Sequence, residues 1–196
     1  MKQLTLAALI SLTPGLALAA PTLLPTRDVS ASYSLTAPGQ PPQTLQLAYN
    51  AAKELARISS SNGYYVLTSL PAGQAQLVVP ALRAVVQVPD FAALATKLFN
   101  AESNARFTPL GKGHYAGLTC EMYLVTEPDS TARTCLTPDG VMLHFSGHDA
   151  NGAADLTALS VSYAPQPASM FDLPPGLTPL SLPSDALKSL LTPNGG

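Results

Sequence analysis

VSASYSLTAPGQPPQTLQLAY, residues 29–49, alternates apolar and polar side chains on both sides of a proline-glycine break. Successive side chains of an extended strand point to opposite faces, so Val29, Ala31, Tyr33 and Leu35 share one face of a first strand. Pro38-Gly39 ends that strand, and Leu45, Leu47 and Tyr49 form the matching face of a second. The same rhythm continues outward along the chain. Residues 54–59 and 63–69 predict a hairpin across Asn62-Gly63, a strong two-residue turn signal. Residues 74–79 and 83–88 follow, joined at Pro80-Ala81-Leu82. Further strands are expected at 106–110, 118–126, 131–137, 141–148 and 156–163, with a second hairpin turn at Asp139-Gly140. Proline becomes dense after Tyr163 (Pro165, Pro167, Pro174, Pro175, Pro179 and Pro183), and proline lacks a ladder donor, so the sheet should end near Ala164. Met170 and Phe171 are expected to dock back onto the core. The pattern predicts a mainly β fold, a curved antiparallel sheet or half-barrel meander.

One segment departs from period two. Between Asp90 and Asn100, the residues Phe91, Leu94, Ala95, Leu98 and Phe99 fall at helical spacing, with Asp90 placed to cap the first turn. An amphipathic helix at 90–100 must cover apolar surface, either plugging one end of the sheet or serving as a lid over a cavity that Phe91, Leu94, Leu98 and Phe99 line.

Residues 1–19 read as a secretory signal peptide: Lys2, an apolar run from Leu4 to Leu12, and Ala17-Leu18-Ala19 as the small-x-small cleavage site. The apolar run is short of the roughly 20 residues a membrane span needs, so no transmembrane span is expected in the mature chain. The remainder divides into a single β-rich domain at 20–183 and a C-terminal tail at 184–196, a short helix or disordered. The full chain carries 10 Lys and Arg against 12 Asp and Glu, and charged residues make up only 11%. Those charges are scattered, which argues against a nucleic-acid partner, because binding a phosphate backbone needs concentrated Lys and Arg.

Cys120 and Cys135 lie on consecutive strands about a turn near Glu127-Pro128 and are expected to face each other in a structural disulfide. Closing a loop of about fifteen residues stabilises the fold by ~3 kcal/mol in the chain-entropy model. No catalytic motif stands out. His144 and His148 are four apart on a strand, about 13 Å from each other and too far for one metal ion. There is no nucleophile elbow and no phosphate-cradling glycine loop, and no cofactor is expected.

Gly117-Leu118-Thr119-Cys120, Tyr123, Thr134-Cys135-Leu136-Thr137, Asp139-Gly140-Val141 and Pro167-Ala168-Ser169-Met170-Phe171 together resemble an uncharacterised family of small exported bacterial proteins. The meander with an interposed amphipathic helix is similar in architecture to the lipoprotein carriers LolA and LolB. These resemblances imply a bacterial periplasmic location and an apolar cavity between sheet and helix. The partner would be a lipid, a lipoprotein or another envelope protein. The alternatives are a structural or interaction module with a filled core, or a hydrolase using His114 or His144.

The exported protein should begin at Ala20 and contain no free thiol. Its intact mass is expected to lack residues 1–19 and two hydrogens, and labelling of Cys120 by a thiol reagent in native, unreduced protein would contradict the disulfide.

Overall fold

The computed structural model describes residues 21–88, 105–128, 130–149 and 152–181. The signal peptide at 1–19, the helix expected at 90–100 and the tail at 184–196 lie outside the described residues.

Twelve strands among these residues form one open, curved sheet. They are β1 (Val29–Thr36), β2 (Gln43–Asn50), β3 (Leu55–Ser60), β4 (Tyr65–Ser69), β5 (Gln74–Val79) and β6 (Ala84–Gln87) in the first half. The second half contains β7 (Arg106–Tyr115), β8 (Leu118–Glu127), β9 (Ser130–Leu136), β10 (Met142–Asp149), β11 (Gly152–Ser162) and β12 (Thr178–Leu180). Their order across the sheet is β12-β6-β5-β4-β3-β2-β1-β11-β10-β9-β8-β7. Two meanders are therefore joined side by side through the pairing of β1 with β11. The β7 end curls over, since β7 touches β11 although three strands lie between them in the order. There the Tyr115 ring stacks on the His144 ring, with centroids 4.9 Å apart.

The main core gathers Val29, Ala31, Tyr33 and Tyr49 with Cys120, Cys135, Val141, Leu143 and Ala158. Full burial of a side chain such as Leu143, which has 0% exposure, is worth about 1.5–3 kcal/mol. Tyr33 is buried with its hydroxyl donating to the Met142 carbonyl at 2.9 Å. Burial, with a smaller effect of Tyr163, pushes its phenol up to about 12, so the group stays neutral.

Four expectations change. Both glycine turns are three-residue loops: Ser60 closes onto Tyr64, and Thr137 onto Val141, with Gly63 at φ +80° and Gly140 at φ +84°. A two-residue loop at Asn62-Gly63 would have put Leu67 opposite Ile58. The extra residue puts Val66 there and turns Leu67 to the other face. Second, β7 runs to Tyr115 rather than stopping at Leu110, because a register shift between Pro109 and Gly111 absorbs the proline. Third, the sheet does not end near Ala164. Thr178–Leu180 adds as β12, parallel to β6, and Pro179 is tolerated because it sits on the outermost strand. Fourth, Cys120 does not stand directly opposite Cys135. Cys135 pairs with Met122, so the disulfide runs obliquely between β8 and β9, with Cα atoms 5.4 Å apart.

Replacing Leu143 with alanine should lower the unfolding free energy by about 2–5 kcal/mol, whereas Leu159→Ala, at a residue 56% exposed, should change it by under about 0.5 kcal/mol. Urea denaturation of the two variants compares them directly, and equal losses would contradict this account of the core.

Candidate functional site

From β1 to β6 the pairing carries no register shift, so faces can be followed strand by strand. One row reads Ala31, Leu47, Ile58, Val66, Leu77, Val86, apolar at every strand. It lies on the face that also carries Val29, Tyr33, Leu45 and Tyr49, here called the inner face. Along the row, exposure changes. Ala31 is buried in the main core, and Leu77 and Val86 are each only 1% exposed. Between them Leu47 and Val66 are half-buried, and Ile58 is 38% exposed. Among the described residues, an apolar strip centred on Ile58 thus remains partly open to solvent in the middle of the inner face.

The outer face is built differently. Over β1–β3 it is mostly polar, carrying Ser30, Ser32, Gln46, Arg57 and Ser59, with Ala48 buried among them. Over β4–β6 it turns apolar, with Tyr65, Leu67, Val78 and Val85 buried beneath Leu177. The chain after β11 supplies that cover as a strap. Its 3-10 turn (Ala168–Phe171) docks on β3, where Arg57 Nη1 donates to the Met170 carbonyl at 3.3 Å. The same guanidinium sits 3.7 Å from the centre of the Tyr65 ring, a cation–π contact. Met170 and Phe171, expected to dock onto the core, are half-buried against β3, and neither is among the residues packed on the core clusters.

Two carboxylates fasten the strap and the N-terminal lead. Asp28 accepts from the backbone N–H groups of Ala51 (2.9 Å) and Gln166 (2.8 Å), tying the β2–β3 turn to the start of the strap. Asp139 accepts from Arg27 Nε at 2.7 Å, from the Tyr163 hydroxyl at 3.1 Å, and from Thr137. The Arg27 guanidinium lies 3.6 Å over the Tyr163 ring. A side chain at Gly140 would collide with the Leu24 carbonyl, so glycine is needed where the lead crosses this turn. Partial burial alone would raise the Asp139 carboxyl. Hydrogen bonds from Thr137, Arg27 and Tyr163, with the Arg27 charge, outweigh it and hold the group below the ordinary carboxylate value.

His144 was a candidate base. Its Nδ1 lies 3.1 Å from Thr157 Oγ1, and Nε2 is 3.7 Å from an Asp155 oxygen. The Thr157 hydroxyl also lies 3.1 Å from an Asp155 oxygen, within hydrogen-bond distance. His114 is exposed on β7 opposite Thr119, away from this cluster. Beside Asp155 lies a shallow depression of about 370 Å³, bordered by Thr36, Pro38, Ser146 and Ala153, open to solvent. Neither histidine forms part of the apolar strip. Phe91, Leu94, Leu98 and Phe99, expected to line a cavity, fall outside the described residues. The strip and the two carboxylate staples were missed by reading strands singly. Alternation marks the face of each strand, but only the loop lengths bring Leu47, Ile58 and Val66 into one row.

No family model matches the chain, and no curated protein matches it, so the Gly-x-x-Cys resemblance gains no support. Solved structures do share the fold. An uncharacterized conserved protein from Thermus thermophilus overlays with a TM-score of 0.58 at 10% identity, covering 80% of this chain and 91% of that one. MucB of Pseudomonas aeruginosa, solved in complex with MucA, overlays with a TM-score of 0.55 at 12% identity. That match covers 79% of this chain, which spans only 58% of MucB. A LolA superfamily protein from Nitrosomonas europaea overlays at 0.41 and 11% identity, covering 79% of this chain and 94% of that one, too loosely to argue from. At these identities the likeness is one of fold, and fold alone does not carry function.

The Asp139 staple should make stability depend on pH in acid. A depressed carboxylate contributes stability above its unfolded value of about 3.9 and loses it as pH falls through the folded value. The melting temperature of Asp139→Asn should therefore lie below wild type at pH 6, with the gap closing as pH drops below about 4. A gap that persists unchanged in acid would show that Asp139 acts without its charge.

Proposed function

We propose that this is an exported envelope protein that holds an apolar ligand, the acyl chain of a lipid or lipoprotein, on the inner face of its sheet. The observation that carries the reading is the apolar row left open at Leu47, Ile58 and Val66 in a sheet whose outer apolar surface is covered. Water is a poor neighbour for such a strip, and contiguous exposed apolar surface marks binding sites more often than it marks neutral surface. A filled-core module would have no reason to leave Ile58 at 38% exposure in the centre of its buried face. The obliquely placed Cys120–Cys135 disulfide fits an oxidising compartment, and a bacterial periplasm is the location this reading adopts. A protein partner on the same surface is the second reading, favoured by the shared fold with MucB, which was solved bound to MucA.

Purified protein incubated with a bacterial lipid extract and re-isolated is expected to carry bound acyl lipid detectable by mass spectrometry. Ile58→Asp should keep the wild-type melting temperature within a few degrees and lose at least tenfold in bound lipid. Equal lipid recovery from both proteins, or none from either, would overturn the lipid reading.

A further inference from the structure

Resting on the apolar-ligand reading above, we propose that the inner-face site recognises its ligand by the alkyl chain alone and leaves any charged head in the surrounding water. Chain length, and not the sign of the head, then sets affinity.

The chain from Val29 to Leu82 supplies β1 to β5 and holds three charged residues, Lys53, Glu54 and Arg57. None of them stands on the inner face. Arg57 is level with Ala48 and Leu67, both on the outer face, and its guanidinium is already engaged by the Met170 carbonyl and the Tyr65 ring. Lys53 and Glu54 sit in the β2–β3 turn with opposite charges side by side. Glu54, the nearer to Ile58, stands about 13 Å from it along the strand. On the inner face the row is flanked by Leu45 and Ser60 on one side, and by Tyr49, Ala56, Thr68 and Ala75 on the other. The hydroxyls among these are neutral groups. Burial, with a smaller effect of Glu54, pushes the Tyr49 phenol up, so it too stays uncharged.

A charged head drawn onto this surface would give up its water and meet no counter-charge among the described residues, and burying an unpaired charge is strongly unfavourable. An alkyl chain gains on the same surface, since each methylene removed from water tightens binding by up to about fourfold. Across Leu47, Ile58 and Val66 the strip spans two strand spacings, about 10 Å, which is room for several methylenes. From Ile58 the turn charges lie beyond the Debye length of about 8 Å at physiological salt, so a head held at the margin of the strip is not read by its sign. The composition of the face thus selects a class of ligand defined by its chain.

Decyl maltoside, decyl sulfate and decyltrimethylammonium share one alkyl chain and carry a neutral, an anionic and a cationic head. Each is titrated calorimetrically into the mature protein at physiological ionic strength, below micelle formation, with folding checked by melting temperature and the intact disulfide. The three dissociation constants should agree within about fivefold, the most that a single exposed ion pair supplies. The octyl homologues, shorter by two methylenes, should bind about tenfold more weakly or worse whatever the head. Ile58→Asp, or Val66→Asp if that variant does not fold, should weaken all three ligands alike. A head preference above that limit, or a variant that rejects the anionic head and keeps the cationic one, would overturn the inference and leave the apolar site standing. Binding that ignores chain length, or no binding by the folded protein, would overturn the site itself and this inference with it.

Discussion

The row Ala31–Leu47–Ile58–Val66–Leu77–Val86 is the constraint around which the rest of the structure is arranged. It forms because every hairpin between β1 and β6 keeps register, so six separate alternations bring their apolar members to one face. A single sheet cannot bury such a face by itself and must find cover from elsewhere. At the β1 end that cover comes from the sheet, which curls until Tyr115, Ala116 and Leu118 pack against the main core. The oblique Cys120–Cys135 bridge ties β8 to β9 in this curled region.

The outer face shows what happens when a surface is meant to be covered permanently. Its apolar portion coincides with β4–β6, and the strap crosses that portion, anchored by Arg57 at Met170 and ending as β12 on β6. Asp28 and Asp139 secure the strap and the N-terminal lead by hydrogen bonds to groups distant in sequence. Arg27 and Asp28 are adjacent, so a short lead contributes to both staples. Against this arrangement, the open strip at Leu47, Ile58 and Val66 stands out as a departure from the fold's own practice.

Much of this was legible in the chain itself. Alternation located nearly every strand, because a half-buried strand repeats every two residues and its turns carry glycine or proline. Pairing of the cysteines was legible from their place on consecutive strands, but its oblique geometry was not, since that follows from a loop one register position away from expectation. Loop lengths at Gly63 and Gly140 were misjudged because Asn-Gly and Asp-Gly serve both two- and three-residue turns. β12 was missed because a proline usually argues against a strand, and only its outermost position makes Pro179 acceptable. Asp139 read as a turn residue; nothing local announces that Arg27 and Tyr163 converge on it.

The central claim is that the inner face, and no other apolar surface, takes the ligand. Methyl resonances measured while a fatty acid spin-labelled near its chain end is titrated into the mature protein test it most directly. The account predicts broadening at Leu47, Ile58 and Val66, with Leu82 and Leu159, exposed elsewhere on the molecule, unaffected. Broadening spread evenly over exposed methyls, or concentrated at Leu82 and Leu159, would contradict it.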